Sequence, residues 1–177
     1  MRKLVTKPSL KKKLSSKKTN QKDFTVLFVC SGNSCRSPMA KGIFDKIVKD
    51  SKNNRVSITS LSAGTSAING QLPTENAQKA VLKYEADIKH HLSAQLTKER
   101  IKLADLILAM EEKHKDFILE LYPRAKEKTF IITNYIGKST AGIIDPLGHS
   151  IEIYQATADK LHRLLVKIYK KINNNWR

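Results

Sequence analysis

Cys30 and Arg36 enclose five residues, Ser31, Gly32, Asn33, Ser34 and Cys35, and Ser37-Pro38 follows at once. A cysteine thiolate is a strong nucleophile, and a guanidinium is a planar fork that grips two phosphate oxygens. At the two ends of one tight loop they suit attack on a phosphorus atom whose oxygens are held. Gly32 and Asn33 tolerate the positive φ that lets successive N–H groups point at one anion, so Ser31 to Cys35 is expected to form a phosphate-binding nest. Asp145-Pro146 lies far along the chain. Pro146 biases Asp145 toward an extended backbone, which helps aim a carboxyl over the loop, although such a pair by itself more often only opens a turn.

The elements that position these residues can be read around them. Val26 to Val29 is an uninterrupted apolar run, as expected of a strand buried on both faces. Pro38 suits the first turn of a helix, and Met39, Ala40, Ile43, Phe44, Ile47 and Val48 give that helix one apolar stripe. Its N-terminus adds a positive field to the loop. Val56 to Ala63 reads as a second strand, with Gly64, Thr65 and Ser66 leaving its carboxyl end. Ligands of open α/β sheets lie outside such ends, which places Ser62 and Ser66 near the loop. Thr74 and Thr97 are candidate helix caps. Asp105 to Met110 reads as a third strand, followed by a helix through Phe117, Ile118, Leu121 and Tyr122 that stops at Pro123. Lys128 to Thr133 is the fourth strand. The final helix has a stripe of Ile151, Tyr154, Ala158, Leu161, Leu165, Ile168 and Ile172, on which Tyr154 reads as core. Strands alternating with helices imply a parallel sheet with helices on both faces, an α/β fold.

The chain of 177 residues is 40% apolar, enough for a single domain with its own core. It carries two cysteines, both in the one loop, which excludes a disulfide scaffold and fits a reducing compartment. No apolar run is long enough for a membrane span and no signal-peptide core is present, so a cytoplasmic protein is expected. The formal charge is +17, of which residues 1–23 hold +8 in a Lys-rich tail with few apolar residues. Such a segment buries too little to fold and is expected to be disordered, with contact to a polyanion as one reading of its charge and a merely solvated leader as the other, and the domain is expected to span 24–177. The remaining charge favours anionic substrates. The five histidines are scattered, and no metal or other cofactor is expected.

The order Cys, five residues, Arg, Ser, in the fuller form VCSGNSCRSP, resembles the low-molecular-weight protein phosphatase family. The resemblance implies a flavodoxin-like sheet of four parallel strands in the order 2-1-3-4. It also implies that Cys30 attacks phosphorus as a low-pKa thiolate, that Arg36 and the loop amides hold the phosphoryl oxygens, and that Ser37 donates to the sulfur. Asp145 takes the family's place for the general acid, His91 that of a histidine bonded to Asn33, and Ser62 that of a serine supporting the loop. Cys35 becomes a redox partner for Cys30. Ala94 stands where the family often has Arg.

Tyrosine-directed members have a large aliphatic residue at the position of Ser34 and aromatic residues after the Asp-Pro pair, where this chain has Leu147 and Gly148. The SAGT, NG, LAM, DP-G and IxxY text is similar to that of the bacterial protein-arginine-phosphatase branch, which usually has Thr at the place of Ser34 and an aromatic residue at that of Leu147. Phosphoarginine in proteins is therefore the expected substrate, with Ser34 and Leu147 as specificity residues and phosphotyrosine as the alternative. An arsenate reductase on this fold would need further cysteines downstream of Cys35, and a mere phosphoprotein binder would not need Asp145.

Overall fold

A computed structural model of the protein describes residues 23–52, 55–137, 139 and 141–175. Residues 1–22, on which the expectation of a disordered tail rests, lie outside the described residues. The strands are β1 (Asp23–Cys30), β2 (Ser57–Gly64), β3 (Leu106–Ala109) and β4 (Thr129–Ile131). They form one sheet in the order β2-β1-β3-β4, and every pairing is parallel. This is the order expected. The helices are α1 (Arg36–Asp50), α2 (Glu75–Val81), α3 (Lys98–Leu103), α4 (Glu112–Leu121), α5 (Ile132–Ile136) and α6 (Ile151–Asn175). No helix among the described residues is long and apolar enough to cross a membrane.

The unbroken apolar run of β1 feeds two cores. Val26 and Phe28 point into the layer shared with α1 and α6, while Leu27 and Val29 point into the layer closed by α3 and α4. Each fully buried Val, Leu or Phe contributes about 1.5–3 kcal/mol, so the strand that ends at Cys30 is anchored from both sides. Phe28 meets Phe44 of α1 edge-on at 5.5 Å, which fixes the helix that leaves the loop against the strand that enters it. Thr74 and Thr97 cap α2 and α3 as expected, accepting from Ala77 N and Arg100 N. The α6 stripe is buried along its length.

Two expectations need correction. Lys128 to Thr133 yields only a three-residue strand, because Ile132 and Thr133 begin α5, where both are buried. The chain turns there to carry residues 141–145 back to the end of β3, where Ile143 N donates to Met110 O at 2.8 Å. The second concerns β1, which starts at Asp23, inside the predicted tail, and pairs in register from Asp23↔Ser57 to Cys30↔Gly64. The carboxyl ends of β1, β2 and β3 consequently meet at one edge of the molecule.

Candidate active site

The loop after β1 is held from outside by its own carbonyls. Cys30 O accepts from Thr65 N at 2.9 Å, Ser31 O from Ser66 N at 3.0 Å and Ser34 O from Thr74 N at 3.0 Å. Asn33 O accepts from His91 Nε2 at 3.2 Å. With the carbonyls turned outward the amides face inward, and Asn33 N donates to Cys30 Sγ at 3.3 Å. Asn33 supplies the reversal with φ 54°, the left-handed region that asparagine tolerates. Gly32 does not share it, contrary to expectation. Gly64 is glycine for a different reason: a Cβ there would lie 2.3 Å from Ser31 O and 2.9 Å from Asn33 N, so only glycine lets β2 approach the loop.

The Asn33 side chain is fully buried and ties the loop to its surroundings. Nδ2 donates to Ser37 Oγ at 2.8 Å and Ser62 Oγ at 3.0 Å, while Oδ1 accepts from Ala94 N at 2.8 Å. Ser62 thus bears on the loop through Asn33. His91 reaches Asn33 as expected, but at its backbone carbonyl, because the side-chain oxygen is already taken by the Ala94 amide. The exposed Ser66 bears on the loop through its amide. Cys35 Sγ lies 3.4 Å from both Thr74 Oγ1 and the Tyr154 hydroxyl. Tyr154 is therefore core, as read, and also a support of the loop. Burial, and next its contact with Cys35, push its hydroxyl up to about 12.

Cys30 Sγ sits 2.9 Å from Ser37 Oγ, and α1 begins at Arg36 with no side chain capping its first turn. That helix end is open to an anion. Arg36 is 1% exposed. Its Nη1 donates to Glu111 Oε2 and Ile143 O, and its Nη2 to Asp145 Oδ2. Its Nε is buried and has no hydrogen-bond partner among the described residues. An unpaired buried N–H costs about 1–3 kcal/mol, so this donor is one that an anion in the cleft would satisfy. Burial is the strongest influence on the Cys30 thiol and pushes it up, while Ser37, the Arg36 charge and the Asn33 N–H pull the other way. The low-pKa thiolate expected from the loop is opposed here by burial, which outweighs the three groups that favour the thiolate.

Cys30, Ser31, Gly32, Ser34, Cys35, Arg36, Asp145 and Leu147 line a cleft of about 50 Å³. That volume suits one small tetrahedral anion. A family model described as low molecular weight phosphotyrosine protein phosphatase matches residues 25–177. The chain belongs to that family. Among the relatives of this phosphatase is a protein-arginine-phosphatase of Geobacillus stearothermophilus, 38% identical over 149 residues that span 84% of this chain and 96% of the relative. Another is the low molecular weight protein-tyrosine-phosphatase PtpB of Staphylococcus epidermidis, 34% identical and covering 81% of this chain and 95% of its own. A solved YwlE arginine phosphatase, a Cys-to-Ser mutant with a phosphorylated active-site serine, superposes with a TM-score of 0.81 at 34% identity. It covers 87% of this chain and 99% of that one.

The structure brings every predicted site residue of the phosphatase to the cleft or to the shell behind it. It differs at Asp145, which closes on Arg36 instead of standing free over the nest, and whose Oδ1 accepts from Leu147 N at 3.2 Å. Two neighbours escaped the sequence reading. Glu111 follows β3 directly and binds Arg36, a place that the position of a carboxylate at a strand's carboxyl end could have signalled. His114, 1% exposed, lies in the first turn of α4 with Nε2 2.8 Å from Ser31 Oγ. Its spacing in the sequence gives no sign of a contact across 83 residues.

Proposed function

We propose that the chain is a protein phosphatase acting on phosphoarginine through a cysteinyl-phosphate on Cys30. The observation that carries the phosphate site is the buried, unpartnered Arg36 Nε at the open end of α1, in a residue that lines the same cleft as Cys30. An arriving phosphoryl group takes Arg36 Nε and displaces the Asp145 carboxylate from Nη2. The guanidinium charge then serves the reacting centre.

Cys30 loses its thiol proton and the displaced Asp145 carboxylate takes one up; Sγ then attacks phosphorus, the P–N bond breaks, and its electron pair leaves with the guanidine nitrogen, which takes the proton from Asp145. Water next attacks phosphorus while Asp145 accepts its proton. The S–P bond breaks, sulfur departs as a thiolate stabilised by the Ser37 hydroxyl, and inorganic phosphate is released. Free cysteines at 30 and 35 fit a reducing cytoplasm. The basic tail is proposed as a polyanion contact on its charge alone.

Phosphoarginine is favoured over phosphotyrosine by what lines the mouth of the cleft. Ser34 puts a small hydroxyl there in place of the large aliphatic residue of tyrosine-directed members, while Leu147, 58% exposed, departs from both branches and favours neither. The arginine phosphatases among the relatives support the same reading. Ser34→Ile should fill the space for the guanidinium and strip its polar partner, which costs about 1–3 kcal/mol, or roughly ten- to a hundredfold in rate. Turnover of a phosphoarginine peptide should fall by that factor while that of the phosphotyrosine peptide holds or rises. Equal losses on both would remove Ser34 from the basis of specificity.

The pairing of Cys30 with Cys35 is proposed as well. Peroxide oxidises the Cys30 thiolate to a sulfenic acid, and the Cys35 thiol displaces water to form the disulfide. Intact-mass and peptide analysis after peroxide should show a Cys30–Cys35 bond, with activity restored by thiol. Over-oxidised Cys30 alone would contradict it.

A further inference from the structure

Among the described residues His91 reaches a backbone carbonyl of the phosphate loop, whereas His114 reaches one of the loop's side chains. It is 1% exposed, its Nε2 lies 2.8 Å from Ser31 Oγ, and its Nδ1 is buried with no hydrogen-bond partner. We propose that His114 is a positioning residue whose Nε2–H donates to Ser31 Oγ and so turns the Ser31 hydroxyl proton into the cleft, toward a phosphoryl oxygen. This rests on the phosphate-binding role of the loop and adds to it a side-chain donor.

The direction of the bond follows from which nitrogen carries the proton. Burial, and next the Arg36 charge, push His114 down to about 4, so the ring is neutral at neutral pH and holds a single N–H. A proton on Nδ1 would leave a buried N–H without an acceptor, a rarer and costlier defect than an unused lone pair. Glu111 Oε2, 3.9 Å from Nε2, favours the proton on that nitrogen. With Nε2 as donor, Ser31 Oγ has accepted its bond and its own proton is free. Ser31 lines the cleft, and its carbonyl is held by Ser66 N, so the hydroxyl is the part of the residue left to turn. Both side chains lie at carboxyl ends of neighbouring strands, His114 entering from the first turn of α4 and Ser31 following β1.

A double-mutant cycle read by competitive inhibition with inorganic phosphate against an aryl phosphate substrate tests this assignment. Ser31→Ala should weaken the phosphate inhibition constant about tenfold, the scale of a hydrogen bond to a charged group. His114→Leu should weaken it by a similar factor, and the double variant should be no weaker than Ser31→Ala alone. His114→Gln, whose amide N–H can replace Nε2–H in a fold-compatible variant, should stay within about twofold. An unchanged constant in Ser31→Ala, or a His114→Leu effect that persists in full without the Ser31 hydroxyl, overturns the proposal. So does a tenfold loss in a folded His114→Gln. A wild type that neither turns over aryl phosphate nor yields to inorganic phosphate would instead overturn the phosphate site itself.

Discussion

Cys30→Ser is expected to end multiple turnover, with steady-state phosphate release falling by at least roughly 10⁴-fold, about 5 kcal/mol in barrier. Sulfur has two jobs at this position, as attacking group and as leaving group. A serine oxygen inside the same ring of amides can still be driven onto a labile phosphoramidate, but the ester it forms has an alkoxide as leaving group, which water does not displace under these conditions. The loop itself should survive, since its carbonyls are held by Thr65, Ser66, Thr74 and His91 and do not involve the sulfur. The variant should therefore accept one phosphoryl group per chain from a phosphoarginine peptide and stop. Intact mass spectrometry after incubation with substrate reads the single addition. Continued phosphate release at a wild-type rate would place the nucleophile elsewhere.

Asp145→Ala should separate the two half-reactions. A guanidine leaving group needs a proton as the P–N bond breaks, so turnover of phosphoarginine should fall by about 10²- to 10⁴-fold, the usual reach of a general acid. An activated aryl phosphate needs no proton to depart. Rapid mixing should show a burst of aryl alcohol close to that of the wild type, followed by slow release of phosphate, because the same carboxyl is absent when water attacks. The burst should also not require the exchange that the wild type makes, since the substitution removes the carboxylate that occupies Arg36 Nη2 in the closed cleft. A burst lost in proportion to phosphoarginine turnover would assign Asp145 to binding or to the loop's shape instead of proton transfer.

Much of this fold was legible because its signals are local. Val26 to Val29 announces a strand buried on both faces, and the structure divides those four side chains alternately between two cores. Thr74 and Thr97 cap helices through bonds three residues away, and the α6 stripe needs only its 3.6-residue period. The strand order came from the resemblance, since alternating strands and helices fix a parallel sheet without fixing its sequence of neighbours. The end of β4 was misread because Ile and Thr favour strands, whereas burial of Ile132 and Thr133 against the rest of the domain makes them helical.

The site divides in the same way. Cys30, Arg36 and Ser37 could be assigned from one stretch of chain, and Asn33 from its tolerance of positive φ. Gly32 was assigned the same freedom on composition, yet the reversal needs only one such residue. Contacts that join distant elements left no trace in spacing: Glu111 on Arg36, His114 on Ser31 and Tyr154 on Cys35 all depend on how α4 and α6 settle against the sheet. Asp145 lines the cleft, and its pairing with Arg36 joins residues 109 positions apart, which no motif records.

The central claim, a cysteine phosphatase directed at phosphoarginine, is tested most directly by kcat/KM of the wild-type protein on two peptides identical except for phosphoarginine or phosphotyrosine at one position. With the Ser34 hydroxyl lining the cleft, the phosphoarginine peptide should be preferred by at least about tenfold, the scale of one satisfied polar contact. A preference for the phosphotyrosine peptide, or equal values on the two, would contradict the account and place the protein among the tyrosine-directed members of its family.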